Sequence, residues 1–327
     1  MTIFIVPDDF PTVQAVIDNG VPPILVSGDS IVVRAGNFPS FELPNQDQNG
    51  DPLERVRIAG CGIGKTTFFG GLAIGVEIQA LQTYLKDFSV QGYSDVGLNI
   101  ISDNNVVQRI EAMFNGEGFR IVGSDNTFSE NIAKSNVSEG FLISGNNNCL
   151  VENTSNENTD GYRVVDENNI LVDNVAKLNT GSGFLLNTQD AQIGNLTTLV
   201  GNTAIKNNIG INCQTDDNII QENRCCNNTS IGIAIVGPEG NEPNGNRVDW
   251  NIVRGNGMMM QPDNAGIFVI IGAGTVEPNA ITFNKLKLNE NFSILDEAGP
   301  ATPNIYNGNV CTDNPSSPPD ACDPGIN

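Results

Sequence analysis

The stretch from Gly118 to Asn179 decides the fold: GFRIVGSDNTFSENIAKSNVSE (118–139), GFLISGNNNCLVENTSNENTD (140–160) and GYRVVDENNILVDNVAKLN (161–179) follow one another along the chain. Each segment begins with glycine and an aromatic residue, continues with aliphatic and polar residues, and carries asparagines five residues apart. The glycine–aromatic pair recurs at Gly118, Gly140, Gly161 and Gly183, at intervals of 22, 21 and 22 residues. A fixed period this short predicts a solenoid of stacked repeats.

The asparagines form triplets with a five-residue spacing. They are Asn126, Asn131 and Asn136, then Asn148, Asn153 and Asn158, Asn169, Asn174 and Asn179, Asn218, Asn223 and Asn228, Asn246, Asn251 and Asn256, and Asn279, Asn284 and Asn289. Asparagine adopts the left-handed conformation that a sharp corner needs, and its amide can bond to equivalent amides on neighbouring coils. Three corners per coil predict a triangular parallel β-helix, with equivalent residues about 4.8 Å apart. Its interior is predicted to hold Phe119, Ile121, Phe128 and Ala133.

Composition excludes several classes of function. The chain of 327 residues has no histidine and a net charge of −22, so histidine cannot act as metal ligand or general base. A strongly acidic chain is a poor partner for nucleic acid, which needs a basic surface. No apolar run reaches the roughly 18 residues of a membrane span. The start, MTIFIVPDDF, lacks the basic segment of a signal peptide, so none is expected.

The ends of the chain differ from the repeats. Residues 7–20 predict a helix with Asp9 as its cap and Pro11 in its first turn, suited to cover the open end of a solenoid. We expect the β-helix to occupy residues 1–299 in about ten coils, and residues 300–327 to form a Pro-rich cap or tail. Cys311 and Cys322 lie in that tail, and the sequence leaves open whether they pair.

A helix followed by GDSIVVRAGNF (28–38) and by asparagine-rich coils resembles the right-handed parallel β-helix, pectate-lyase-like superfamily with its PbH1-type repeats. The resemblance covers nearly the whole chain and implies an all-β fold, a right-handed parallel β-helix with an N-terminal capping helix. It implies no single function, because the superfamily includes polysaccharide lyases, hydrolases, epimerases, tailspikes, adhesins and inactive scaffolds. It also implies an extracellular, cell-surface or spore-surface location.

A first column of charged residues flanks the repeat glycines. Glu117, Glu139 and Asp160 directly precede a repeat glycine, and Arg120 and Arg163 follow one by two positions. Stacked carboxylates repel one another by roughly 1 kcal/mol per pair even in water, so the arginines or a Ca²⁺ ion must compensate. The resemblance makes the three acids metal candidates and the two arginines catalytic candidates, because related lyases pair Ca²⁺ ligands with a basic residue. The alternative is a solvated, salt-bridged edge.

A second column precedes the middle asparagine of each triplet: Arg109, Glu130, Glu152, Asp173, Gly201, Glu222, Trp250 and Phe283. Trp250, the only tryptophan, stands where earlier coils have an acid, and later coils carry long insertions at their corners. Inserted loops on a rigid repeat are common places for binding, although drift in exposed corners explains them equally well. The binding candidates are Trp250, Asp190, Glu239 and Glu242. Trp250 suits either sugar stacking or packing under the loops.

These features favour a binding or structural scaffold that contacts carbohydrate, as a polysaccharide, or a neighbouring surface protein. One alternative is a Ca²⁺-dependent polysaccharide lyase or epimerase acting on a uronate-containing polymer. Another is a glycoside hydrolase, which needs two carboxylates about 5–9.5 Å apart. Stacked acids meet that distance in any β-helix, so spacing does not discriminate. The ligand and the oligomeric state also stay open.

Overall fold

The structure is a computed structural model that describes residues 1–71, 73–187, 196–237, 243–257, 264–270, 278–297 and 304–323. It divides into two compact units, Met1–Asn158 and Thr159–Asn327. Each unit is a right-handed parallel β-helix, which confirms the predicted fold class. We call the strands that begin after the repeat glycines the first row, and those on either side of the middle asparagine the second and third rows.

The first unit contains five first-row strands, all paired in parallel where their pairing is defined. They are Phe41–Leu43, Ile74–Ile78, Val96–Ile100, Glu117–Ile121 and Phe141–Ile143. The second row comprises Ile3–Val6, Ser30–Val33, Arg57–Ala59, Thr127–Ser129 and Cys149–Val151, and the third row Gly36–Phe38, Thr66–Phe69, Ile132–Lys134 and Thr154–Asn156. Two eight-residue strands, Tyr84–Gln91 and Val106–Met113, run through both of these rows.

Among the described residues of the second unit, the three-strand coil recurs six times. Its first row comprises Tyr162–Val164, Ser182–Leu186, Ile209–Cys213, Ile231–Ile235, Ala265–Val269 and Phe292–Asp296. Its second row comprises Ile170–Val172, Thr198–Val200, Ile219–Gln221, Arg247–Asp249, Ala280–Thr282 and Ile305–Asn307. Its third row comprises Val175–Lys177, Thr203–Ile205, Arg224–Cys226, Ile252–Arg254, Lys285–Lys287 and Val310–Thr312.

The N-terminal helix is shorter than predicted, Val13–Ile17, and the prediction of Asp9 as its cap was wrong. The Thr12 hydroxyl caps it by accepting from the Ala15 N–H (3.0 Å). Asp9 instead accepts from the Ile5 N–H (2.8 Å), which closes a turn before the helix. The helix buries its apolar face, Val13, Val16 and Ile17. Its role as a cap of the solenoid stays a prediction.

The core of each unit consists of columns of equivalent side chains. In the first unit, the rings of Phe119 and Phe141 stack at 4.5 Å and are fully buried. In the second unit, Tyr162 and Phe184 stack at 4.8 Å in the same way. In-register parallel pairing places equivalent residues one strand spacing apart, so aromatic residues at one repeat position must stack. The predicted interior residues Phe119, Ile121, Phe128 and Ala133 are all buried.

The asparagines at the corners, which we call the ladder asparagines, are buried and bonded from coil to coil, as predicted. The backbone N–H and the side-chain Nδ2 of Asn131 both donate to Asn153 Oδ1, each at 2.9 Å. The Nδ2 of Asn153 donates to the Phe128 carbonyl at 3.0 Å. In the second unit, the same pattern connects Asn174, Asn202, Asn223, Asn251, Asn284 and Asn309. These amides of the middle column are bonded on both sides and can stay buried. At the first corner, the side-chain Nδ2 groups of Asn126 and Asn246 are buried with no hydrogen-bond partner among the described residues.

The prediction that these asparagines adopt the left-handed conformation was wrong. The left-handed residue is the one before each ladder asparagine, for example Glu152 with φ of 55°, Glu222 with 57° and Trp250 with 57°. The left-handed residue sends its side chain out of the corner, which turns the following asparagine inward. Asparagine is therefore required for its amide, and the corner residue before it varies widely in type.

Close approach of backbones explains the repeat glycine. A Cβ on Gly161 would lie 2.4 Å from the Gly183 carbonyl oxygen and 3.0 Å from the Ala176 Cβ. Neither neighbour is a flexible side-chain end, so any larger residue forces a backbone shift. The glycine before the aromatic residue thus lets consecutive coils of the second unit meet at strand spacing.

The predicted tail contains regular structure. Ile305–Asn307 pairs in parallel with Ala280–Thr282, and Val310–Thr312 pairs with Lys285–Lys287. A disulfide joins Cys311 to Cys322, which answers the question the sequence left open. The domain boundary after residue 299 stays a prediction. In the described parts of the chain, no helix has the length and apolar character needed to cross a membrane.

Candidate functional site

The catalytic candidate Arg120 is held by two carboxylates of the first unit. Its Nε and Nη2 donate to the two carboxylate oxygens of Glu117, each at 2.8 Å. Nη2 also donates to Asp95 Oδ1 at 2.9 Å. All three side chains lie on the first-row face, where Glu117 and Arg120 belong to one strand and Asp95 directly precedes another. The guanidinium of Arg120 thus bridges two carboxylates.

The electrostatics of this network oppose a role for Arg120 as a base. The hydrogen bonds that Arg120 donates to Glu117 raise the pKa of the guanidinium above its already high value, and the bond it donates to Asp95 adds to the effect. Burial acts in the opposite direction but does not prevent the rise. A general base must lose its proton near the working pH, and Arg120 holds its proton more firmly than a free arginine. The sequence did not identify Asp95, which lies two residues before Gly97, outside the column read from the glycines.

The remaining members of the first column also have structural partners. Glu139 is buried and accepts a hydrogen bond from the hydroxyl of its neighbour Ser138. Asp160 Oδ1 accepts from the Ser182 N–H at 2.6 Å and would lie 2.5 Å from a Cβ on Gly181. Arg163 Nε donates to Asn187 Oδ1 at 3.1 Å. Asp160 therefore braces the next coil of the second unit, and Arg163 contacts an amide.

A calcium site at Glu117, Glu139 and Asp160 stays a prediction that these contacts do not favour. Within the part of the chain that the structure describes, no three acidic or cysteine side chains of either unit form a group able to hold a metal ion. Both oxygens of Glu117 accept from Arg120, so a cation would have to displace the guanidinium to reach them. The binding candidates Asp190, Glu239 and Glu242 lie outside the described residues.

Trp250 forms an aromatic pair with Phe283 on the surface of the second unit. Their ring centroids are 4.7 Å apart and their planes differ by 13°. Trp250 is 52% exposed and Phe283 38% exposed. Phe283 stacks against one face of the indole, and about half of the Trp250 side chain nevertheless remains exposed. The pair is thus available to an apolar ligand surface, as the sequence-based proposal of sugar stacking requires.

A basic surface that the sequence reading missed lies on the third row of the same unit. Its cations are Arg224, Arg254, Lys285 and Lys287, all exposed on strands that lie side by side. The register sets Arg254 against Lys287, and Ile252 between Arg224 and Lys285. We call these four side chains the basic face. Reading the columns one and three positions after the middle asparagine would have found it.

A groove of about 310 Å³ opens on the basic face. Its lining side chains include Arg254, Lys285 and Lys287 together with the exposed apolar Ile252 and Val310. Trp250 and Phe283 do not line the groove, but they are the corner residues two positions before its lining residues Ile252 and Lys285. The surface therefore combines positive charge, aliphatic area and an aromatic edge.

The fold is shared with several solved structures. One is a mannuronic-acid-specific polysaccharide family 6 lyase from human gut microbiota, with a TM-score of 0.67 and 14% identity over 94% of this chain and 79% of that one. Another is the A-module of mannuronan C-5 epimerase AlgE6 from Azotobacter vinelandii, with a TM-score of 0.61 and 17% identity over 88% and 91%.

A third is the Dettilon tailspike protein, with a TM-score of 0.60 and 14% identity over 86% of this chain. The chain spans 62% of the tailspike's length. No protein-family model matches the sequence, and no curated protein matches it. Identities this low bear on architecture alone. The chain therefore has a right-handed parallel β-helix fold similar to the folds of these three proteins.

Proposed function

We propose that the protein is a polysaccharide-binding scaffold whose ligand contacts the Trp250–Phe283 pair. The observation that carries this proposal is the pair itself: two stacked aromatic rings that remain 52% and 38% exposed on a rigid β-helix. A large apolar ring held at a fixed corner suits the apolar face of a sugar, because little side-chain entropy is lost on binding. The fold similarity to lyases, epimerases and a tailspike supports a carbohydrate ligand.

The contacts of Arg120 weigh against a Ca²⁺-dependent lyase or epimerase. Such a reaction needs a proton acceptor, and Arg120 is fixed as a cation by Glu117 and Asp95. Arg163 Nε donates to the side-chain oxygen of Asn187, a contact that positions the guanidinium but supplies no proton acceptor. No described contact favours a glycoside hydrolase either. Detection of catalysis would therefore refute the proposal that the protein is a binding scaffold.

A surface location supports the same proposal. The Cys311–Cys322 disulfide is stable in an oxidising compartment such as the cell exterior. We propose an extracellular or surface site of action, where the ligand is a polysaccharide and a neighbouring surface protein is the alternative partner. Nucleic acid is not proposed, because a long polyphosphate would extend beyond any local basic surface of a chain whose net charge is −22.

A glycan array tests the proposal, with the unmodified protein compared with Trp250→Ala. We expect selective glycan binding that falls at least tenfold in the variant. Phe114→Ala is the matched control, because Phe114 is also an exposed corner aromatic, 59% exposed in the first unit. Equal binding by Trp250→Ala would contradict the assignment. Ultraviolet-absorbing unsaturated products released from a bound uronate polymer would show a lyase instead.

A further inference from the structure

The basic face stands out because the chain around it is acidic. The whole protein has 16 lysines and arginines against 38 aspartates and glutamates, and four of those cations lie on three adjacent strands. Among the described residues, Arg254, Lys285 and Lys287 make no ion pair, whereas Arg247 on the second row of the same coil pairs with Asp249. The concentration of unpaired cations is therefore local and specific to one side of the late coils.

The arrangement is electrostatically unfavourable in the absence of a ligand. Arg254 and Lys287 are directly opposite in register, and Lys285 and Lys287 lie two positions apart on the same side of one strand. Cross-strand neighbours are about 4.8 Å apart and residues i and i+2 about 6.6 Å apart. Like charges that are directly opposite destabilise a sheet. An anion in the groove would remove this repulsion and gain attraction from several cations at once.

The overall negative charge does not prevent anion binding at this surface. At physiological ionic strength the Debye length is about 8 Å, so exposed acids farther away are largely screened. A ligand inside the groove is governed by the nearest charges, which are Arg254, Lys285 and Lys287. The same screening predicts that salt weakens the binding of a charged ligand more than that of a neutral one.

We propose that the groove on the basic face binds an acidic, carboxylate-bearing oligosaccharide segment, with the cations on the carboxylates and Ile252, Val310 and the Trp250–Phe283 edge on the sugar rings. This proposal rests on the proposed function, because it assumes that the aromatic pair contacts a saccharide. It names the ligand class and adds the third-row cations to the contact surface. The alternation of charged and apolar side chains matches a chain of rings that each carry a carboxylate.

The proposal is tested by calorimetry in EDTA with a galacturonate tetrasaccharide, a neutral glucose tetrasaccharide and a tetraglutamate peptide. We expect the unmodified protein to bind the galacturonate at least tenfold more tightly than either other probe. The variant Lys285→Gln/Lys287→Gln should lose at least tenfold in galacturonate affinity and none in affinity for the neutral sugar. Lys177→Gln is the matched control, because Lys177 is an exposed third-row lysine three strands away from Arg254, and it should bind normally.

The outcomes distinguish this proposal from the proposed function on which it rests. Equal binding of the neutral and acidic sugars, or no effect of the lysine substitutions, overturns the acidic-ligand proposal and leaves a saccharide scaffold. Equal binding of tetraglutamate shows a general anion surface and also overturns it. No binding of any saccharide at millimolar concentration overturns both proposals.

Discussion

Two cationic regions of this protein lie on outward-facing positions of parallel strands and differ in what surrounds them. In the first unit, Arg120 meets Glu117 and Asp95 in three bonds of 2.8–2.9 Å. In the second unit, Arg254 and Lys287 face each other across two strands with no acidic partner among the described residues. The comparison teaches that position in a repeat does not make a charge functional. Its partners decide whether it serves the fold or remains available to a ligand.

The bonds of the ladder asparagines serve the fold, and breaking them gives the largest predicted loss of stability. Asn153→Leu would leave the Asn131 N–H, the Asn131 side-chain amide and the Phe128 carbonyl without their partner. Each buried unsatisfied group costs about 1–3 kcal/mol, so we expect a loss of roughly 3 kcal/mol or more. Urea unfolding measures it.

Asn49→Leu is the control for this prediction, because Asn49 is exposed in the same unit. Its stability should change by less than about 0.5 kcal/mol. Similar losses in the two variants would show that the ladder bonds do not distinguish buried from exposed asparagines. The interpretation of the corners would then be wrong.

The second prediction concerns the strand at the edge of the basic face. Cys322→Ser removes the disulfide to Cys311, which lies between Val310 and Thr312 on the last third-row strand. The bridge closes a segment of 11 residues, and the chain-entropy estimate for a loop near this size is about 3 kcal/mol at most. We expect a loss of about 2 kcal/mol by denaturant unfolding. Cys61→Ser, at an exposed free cysteine, should change little; an equal loss there would contradict the prediction.

The fold was predictable from sequence because a repeat multiplies weak signals. One glycine–aromatic pair or one asparagine is uninformative, but the same spacing at Asn131, Asn153 and Asn174 implies stacked equivalents. Periodicity could not assign the left-handed angle, which falls on the preceding residue such as Glu152. Periodicity also placed the start of the helix wrongly, because Asp9 and Thr12 are both residue types that cap helices. Asp9 accepts from the Ile5 N–H instead, so Thr12 is the cap.

The candidate site was less predictable, for a physical reason. Columns tell which residues are neighbours, but they do not tell which partner a long side chain selects. Arg120 bonds to Glu117 as the column suggested, and also to Asp95, which lies outside it. The basic face could have been predicted from Arg224, Lys285 and Lys287, which follow the middle asparagine of their coils by one or three positions. The columns of acids precede a repeat glycine or the middle asparagine, so they did not draw attention to these positions.

The smallest prediction concerns a half-buried acid. Burial raises the pKa of Asp216, although the Asn244 N–H that donates to it (2.8 Å) acts in the opposite direction. A raised pKa in the folded state means that Asp216 contributes stability at low pH and loses it as pH rises through the folded value. Asp216→Asn should therefore gain stability relative to the unmodified protein between pH 4 and pH 7. Asp217→Asn, at the exposed neighbour, is the control; a gain that shrinks as pH rises would refute the sign.

The comparison between the two cationic regions is tested most directly by ligand-free unfolding in urea of Arg120→Gln and of Lys285→Gln/Lys287→Gln. We predict that Arg120→Gln loses about 1–2 kcal/mol, because it leaves Glu117 and Asp95 facing each other in a partly buried setting. The lysine pair should lose no stability and gain at most about 0.5 kcal/mol, because its removal breaks no ion pair and relieves repulsion from Arg254. A loss in the lysine variant equal to that of Arg120→Gln, or no loss in Arg120→Gln, would contradict the account.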